Sequence, residues 1–415
     1  MNSKIIERTE YLKMLINRKN NGLIKIITGI RRCGKSFLLD PIFKNYLLAS
    51  GTSEDHIIKL SLDDINNEQY LDAHALNEYI LSQIVDNENY YILLDEIQMV
   101  PNFELVLNGL LYKRNLDIYV TGSNSRFLSS DIITEFRGRG DQIRIYPLSF
   151  KEFLGAFNGD KYSAWNEYLT HGGMPLILNQ QTEEQKSKYL KDLFELTYKK
   201  DIVERNNISK DDIFDSLIDM LASSVGSLTN PQKLYNAYIS NGIKNISKNT
   251  LYSYIDYLLD SFLIEKAQRY DIKGKTYITT PQKYYFADIG LRNARLNFRQ
   301  IEENHLMENI IYNELLKRGF NVDVGVVEIR NNNENKQLEI DFVCNLGNKR
   351  YYIQSVLELS TRDKTVQEER PFMNIHDNFK KILIVKGDFK PWYTEEGILV
   401  LSLFDFLLNE NSLEF

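Results

Sequence analysis

Apolar and polar positions alternate along the first 150 residues in a way that predicts strands separated by helices. Leu23-Ile24-Lys25-Ile26-Ile27-Thr28 is a short β-branched run that stops at Gly29, and a helical pattern opens at Ser36-Phe37-Leu38-Leu39. Further strand-like runs cover 56–62, 90–94 and 116–121, with Arg144-Ile145-Tyr146 as a fifth. Runs that are apolar on both faces and are separated by helical stretches predict a parallel sheet covered on both sides. After Pro147-Leu148-Ser149-Phe150 the pattern becomes helical to about Ser261, broken at Gly172-Gly173-Met174-Pro175, Asn206-Asn207 and Thr229-Asn230-Pro231. A helix opening at Ser247 keeps an apolar stripe through Leu259, with Ser247 as its cap. Two short strands follow, 262–267 and 276–280, around the turn Lys273-Gly274, and helices followed by a two-stranded wing suggest a winged helix-turn-helix. The tail is mixed: a helix from His305 to Arg318, then strands near 322–329, 338–344, 351–359 and 381–386, with the polar run 330–335 as an exposed hairpin tip.

The first strand leads into Gly29-Ile30-Arg31-Arg32-Cys33-Gly34-Lys35-Ser36, a complete G-x-x-x-x-G-K-[ST] match. The glycines let the backbone curl until its N–H groups converge on phosphates. Lys35 can then reach the β/γ oxygens, Ser36 offers a hydroxyl to Mg²⁺, and the next helix, opening through Phe37, presents its positive end. Arg31 and Arg32 either approach the phosphates or face solvent; Cys33 is either a tolerated small residue or a thiol whose pKa nearby N–H groups could lower. The third strand ends in Asp95-Glu96. Asp95 is placed to hold Mg²⁺ and Glu96 to polarise the attacking water. ATP and Mg²⁺ are therefore the expected ligands.

Composition narrows the class. A chain of 415 residues exceeds a usual single core and predicts two to four domains. With 43% hydrophobic and 26% charged residues it is ordinary globular material. Two cysteines and five scattered histidines exclude a disulfide scaffold and argue against a zinc enzyme. A net charge of −7 excludes a uniformly basic nucleic-acid coat, but 231–286 carries eight Lys/Arg (Lys233, Lys244, Lys248, Lys266, Arg269, Lys273, Lys275, Lys283) against four acids. That local excess suits phosphate contacts on duplex DNA as well as a protein-docking module. No run approaches the roughly 18 apolar residues of a membrane span, and the charged N-terminus leads into no signal-like apolar stretch. A cytoplasmic protein with no membrane partner is expected.

The order of these motifs resembles the prokaryotic AAA-superfamily (AAA+) ATPases with a C-terminal domain of unknown function of the DUF4143 type. The likeness rests on the phosphate loop, Leu94-Asp95-Glu96-Ile97-Gln98, Thr121-Gly122-Ser123-Asn124-Ser125, Gly138-Arg139, Pro147-Leu148-Ser149-Phe150-Lys151-Glu152-Phe153, Gly172-Gly173-Met174-Pro175 and Tyr198-Lys199-Lys200-Asp201-Ile202-Val203-Glu204-Arg205. It implies an α/β P-loop NTPase core with a parallel sheet over 1–150, a helical lid over 151–205, a winged-helix domain over 206–290 and an α/β restriction-endonuclease-like domain over 291–415. It also implies that Ser123 or Asn124 senses the γ-phosphate. Arg137 or Arg139 would act on a neighbouring subunit's nucleotide in a homo-oligomer; the plain alternative is two solvated residues on a turn.

The tail resembles the PD-(D/E)XK nuclease core, with Glu308 on its helix, Asp341 on one strand, and Gln354 and Val356 at the acid and lysine positions of the next. A glutamine and a valine there imply a nuclease-like fold without nuclease activity. Glu358 is expected on the same strand face, in partial compensation. The leading expectation is an Mg²⁺-dependent ATPase whose turnover moves the lid and winged helix against a DNA or protein partner. The rivals are a slow nucleotide-gated switch or scaffold and an ATP-linked DNA nuclease.

Overall fold

The computed structural model describes residues 5–122, 136, 138–240, 242–243, 246–331 and 334–415. The chain divides into two compact units, Met1–Pro147 and Leu148–Phe415.

The first unit is a five-stranded sheet of β1 (Ile24–Thr28), β2 (Ile57–Ser61), β3 (Tyr90–Asp95), β4 (Leu116–Thr121) and β5 (Gly140–Arg144), in the order β2-β3-β4-β1-β5. Every neighbouring pair is parallel, as the doubly apolar runs predict. Side chains such as Ile26, Ile92, Leu94, Ile118 and Val120 join Leu76 and Leu107 from the covering helices in one core. The fifth strand begins earlier than expected, at Gly140. As an edge strand it carries polar residues with half-exposed positions, which masks it in a hydrophobicity reading. The helix after the phosphate loop is also interrupted. Its first turn, Lys35–Phe37, gives way at Asp40, which is extended, before Pro41, and a helix resumes at Lys44–Ala49. Proline disfavours a helical residue before it, which is reason enough for the break.

One residue in β1 departs from its apolar run. Lys25 is fully buried, and its ammonium is hydrogen-bonded to Asp117 on β4, one strand away, and to the carbonyl of Leu23 at 2.7 Å. Asp117 also accepts from Tyr119 Oη (2.9 Å) and the Asn20 N–H (3.0 Å), so its charge is fully engaged. Burial pulls the Lys25 pKa down, and Asp117 opposes that pull.

The second unit opens with helices, among them Phe150–Ala156, Lys161–His171, Glu183–Leu193, Asp211–Ser223 and Lys248–Asp260. An eight-stranded sheet follows: β6 (Ile264–Asp271), β7 (Thr276–Phe286), β8 (Asn321–Asn331), β9 (Glu334–Leu346), β10 (Lys349–Val356), β11 (Lys380–Val385), β12 (Trp392–Tyr393) and β13 (Leu399–Ser402), in the order β12-β13-β11-β10-β9-β8-β6-β7. The two strands read as a wing are thus not a separate module. β6 pairs in parallel with β8 (Arg269↔Val324, Asp271↔Val326), which makes the hairpin the end of the tail's own sheet. β7 also runs on past Pro281 to Phe286. A proline reads as the end of a strand, yet an edge strand tolerates it because its free side needs no donor.

Gly172-Gly173-Met174-Pro175 is a packing joint. Gly172 ends the helix Lys161–His171 at φ 72°, and the carboxylate of Asp288 accepts from the Gly173 N–H (2.7 Å) and the Leu291 N–H (3.0 Å), capping the helix Ile289–Arg295. A Cβ on Gly172 would lie 2.3 Å from Asp288 Oδ1, and one on Gly290 would lie 2.0 Å from the His171 carbonyl. The two helices meet this closely only because neither residue has a side chain.

The buried charges set two expectations for stability. Asp117→Asn strands the Lys25 ammonium and should cost about 3 kcal/mol or more in chemical denaturation, whereas Lys25→Met with Asp117→Leu should recover most of that. An Asp117→Asn protein as stable as its parent would show the pair to carry no weight. Burial pushes the Asp288 carboxyl up to about 6, against an ordinary 3.8. The folded state therefore favours the protonated form, and that contribution is present below about pH 4 and lost as pH rises through 6. The stability gap between wild type and Asp288→Asn should accordingly narrow from pH 4.5 to pH 7, by about 2 kcal/mol; a gap independent of pH refutes the assignment.

Candidate nucleotide site

Thr28 ends β1 in full burial, and the chain turns at Gly29 with φ 140°. Beyond β5, the Ile145 N–H donates to the Thr28 carbonyl (2.8 Å), and the Ile145 carbonyl then lies where a Cβ on Gly29 would be, at 2.1 Å. The first glycine of the motif is therefore required by the fifth strand. Gly34 has φ 102° and Arg32 φ 61°, so the loop curls through two more left-handed residues. Cys33 is fully buried, with Sγ 3.6 Å from the Ile145 carbonyl, and it packs the underside of the loop. Arg31, Arg32, Ser36 and Phe37 are exposed, and Ile30 is buried.

Lys35 is buried, and its ammonium donates to the carbonyls of Gly29 (3.0 Å) and Ile30 (3.1 Å). The charge is held at the mouth of its own loop. On β3, Asp95 accepts hydrogen bonds from the hydroxyls of Thr121 and Ser36. Burial pushes its pKa up; those two bonds oppose the shift, and Glu96 and Asp63 add to it. Thr121 serves both acids, since its oxygen also accepts the Glu96 N–H at 3.0 Å. Glu96 itself sits at φ 53°, and the Gln98 side-chain amide donates to its carboxylate. Lys35, Ser36, Asp95, Glu96 and Thr121 thus gather at the carboxyl ends of β1, β3 and β4, where open parallel sheets bind ligands.

Arg139 is not part of this gathering. The Ile24 N–H donates to its carbonyl (2.9 Å), which puts it beside the start of β1, a strand length of about 15 Å from the loop. Its guanidinium donates to Asn108 Oδ1 at 3.2 Å. Ser123, Asn124 and Arg137 lie outside the described residues. One contributor escaped the sequence reading altogether. Arg8, buried and at φ 46°, donates to the carbonyls of Cys33 (3.1 Å) and Tyr146 (2.6 Å), and so braces the loop against the exit of β5. Nothing in a charged N-terminus announces a partner 25 and 138 positions away.

The tail residues have their own geometry. Glu308, on the helix Glu303–Lys317, and Asp341, on β9, lie together with Lys283 of β7, and the Asp341 N–H donates to Gln354 Oε1 at 3.2 Å. Val356 is buried in the sheet's apolar core. Glu358 lies beyond the end of β10 and is exposed, so the expected strand alternation does not carry it to the cluster. Burial and the neighbouring Glu308 push the Asp341 carboxyl up to about 7, opposed by Lys283. Lys283 and Arg269 are both buried, which removes two members of the basic segment from the surface.

Residues 21–154 match an AAA domain family, 162–302 a domain of unknown function (DUF8612) and 303–406 a domain of unknown function (DUF4143). An uncharacterized protein of Haemophilus influenzae is 35% identical over 414 residues, covering 98% of this chain and 100% of that one. One from Methanocaldococcus jannaschii is 29% identical over 378 residues, covering 87% of this chain and 80% of that protein. Among solved structures, Aeropyrum pernix ORC1 in complex with DNA aligns over 71% of this chain and 93% of its own at 10% identity and a TM-score of 0.32. AMPPCP-bound DnaA from Aquifex aeolicus aligns over 60% and 86% at 16% identity and a TM-score of 0.28. No helix among the described residues is long and apolar enough to cross a membrane. With its phosphate loop, its parallel core sheet and a relative matched along its whole length, the chain belongs to the AAA-domain proteins that carry a C-terminal DUF4143 domain.

Proposed function

We propose that the first unit binds ATP with Mg²⁺ and hydrolyses it, and that nucleotide state is coupled to movement of the second unit on a DNA or protein partner. The observation that carries this reading is the convergence of Lys35, Ser36, Asp95 and Thr121 on one sheet edge. The donors suit the ligands: a hydroxyl and a carboxylate are the hard oxygen groups Mg²⁺ takes, and a lysine held by loop carbonyls can turn to a phosphate without leaving a charge partner behind. Bound Mg²⁺ would neutralise charge developing on the phosphates. Ser36 and Asp95 would hold it, Lys35 would bind the β/γ oxygens, Glu96 would take the proton of the attacking water, and the backbone of 29–34 would orient the phosphates. Ser123 or Asn124 remains the proposed γ-phosphate sensor. Arg139 sits at the far end of β1 from its own loop and donates to Asn108, so its proposed γ-phosphate partner is that of a neighbouring copy; Arg137 is the other candidate for that role.

The bond from Gln98 to Glu96 favours a second version of the same chemistry, a slow switch. A carboxylate already accepting a hydrogen bond is a poorer base until that bond opens. Lys35→Ala should abolish nucleotide-dependent phosphate release, and Glu96→Gln should lower it about 10²–10⁴-fold with nucleotide still bound. Release that survives both changes refutes the ATPase reading. A rise in turnover for Gln98→Ala, with tight nucleotide retention in the parent, would identify the switch.

For DNA, the exposed lysines of the hairpin end, Lys273 and Lys275, together with Lys266 on β6, Lys248 at its helix start and Lys233, are the groups of the basic segment available for phosphates among the described residues. Replacing Lys273 and Lys275 by alanine should lower the slope of log affinity against log salt by roughly 0.9 for each phosphate that is no longer neutralised. Binding that ignores salt, or that the double variant leaves unchanged, favours a protein partner.

A further inference from the structure

The acids of the tail already have a cation. Lys283 is 2% exposed, and its ammonium lies 2.8 Å from Glu308 Oε1, 2.8 Å from Glu339 Oε1 and 3.5 Å from Asp341 Oδ1. An ammonium has three N–H donors, and here three carboxylates surround it. Two of these carboxylates take a further bond from within the fold. Tyr285 Oη donates to Glu308 Oε1 at 2.6 Å, and the Ser355 N–H donates to Asp341 Oδ2 at 2.8 Å. Gly226 closes one side, since a Cβ there would lie 3.3 Å from the Glu308 carboxyl.

Glu308 and Asp341 are buried and Glu339 is half-buried; without a positive charge, these three carboxylates from a helix and a strand would make a cluster of like charges that burial and mutual repulsion both oppose. A divalent ion could answer that need, and so can a lysine. We propose that the Lys283 ammonium is a built-in cation that fills the place a divalent metal would take among Glu308, Glu339 and Asp341. The cluster then joins β7, the helix Glu303–Lys317 and β9 and is closed to metal. This proposal is independent of the ATPase reading, and it stands on a lysine that is present rather than on the one missing beside Gln354.

The test uses the nucleotide-free full-length chain and Mn²⁺ alone, read by the loss of free Mn²⁺ signal in electron paramagnetic resonance and by thermal melting. Wild type and Asp341→Asn should bind the same amount of Mn²⁺. Lys283→Met should bind one more ion per chain and melt several degrees higher in millimolar Mn²⁺, and both gains should vanish in Lys283→Met/Asp341→Asn. If Lys283→Met does not fold, Lys283→Met/Glu308→Gln, which removes one charge of each sign, should fold; its failure overturns the proposal. A wild-type ion that Asp341→Asn removes also overturns it, as does a folded Lys283→Met that gains none, or Mg²⁺-dependent DNA cleavage by wild type that Asp341→Ala abolishes.

Discussion

An ammonium taken out of water costs several kcal/mol unless carboxylates meet it at close range. Lys283 is in that position, and its three partners come from two other elements, a helix and a strand, so the pairing fixes where β7 lies against them. The first unit solves the same problem with Lys25 and Asp117, on neighbouring strands of its sheet. In both sheets the buried pair is specific in a way apolar packing is not. A slip of one residue in β1 would carry Lys25 to the opposite face and leave Asp117 without its cation.

The candidate nucleotide site inherits its geometry from that first sheet. Because β1 and β4 are held in register through Lys25↔Tyr119, Thr121 falls at the end of β4 where it can bond Asp95 and Glu96 together. Because β5 returns beside β1, the Ile145 carbonyl occupies the space above Gly29 and sets the first curl of the loop. Arg8 then fastens the far side of that curl to the strand's exit. The loop's shape is a property of the sheet edge around it as much as of its own glycines.

What could be read in the sequence was what chemistry places at short range. Residues 29–36 and Asp95-Glu96 each carry their roles in adjacent positions, at the ends of strands whose β-branched runs are conspicuous, and the sheet follows from those runs. Arg8 and Lys283 were not legible, because a charged side chain's partner is set by tertiary contact and charge counting assigns every lysine to the surface by default. Pro281 hid the buried half of β7, whose Lys283, Tyr285 and Phe286 belong to the interior. Glu358 was misplaced for the reverse reason: alternation was extended past Val356, where the strand ends.

The buried lysine also constrains which parts of the second unit can move apart. The hairpin β6–β7 is tied to the tail twice, by the β6–β8 ladder and by the charge cluster, so it cannot swing as an independent wing without opening buried ion pairs. The helices Lys161–His171 and Ile289–Arg295 are locked by the close glycine contacts at Gly172 and Gly290 and by Asp288. Opening either joint exposes charge or backbone groups from partners they hold in the fold, a cost of several kcal/mol. Any displacement of the hairpin would therefore carry its lysines and the tail sheet together. Hairpin and tail sheet would move as one body, with their internal arrangement kept.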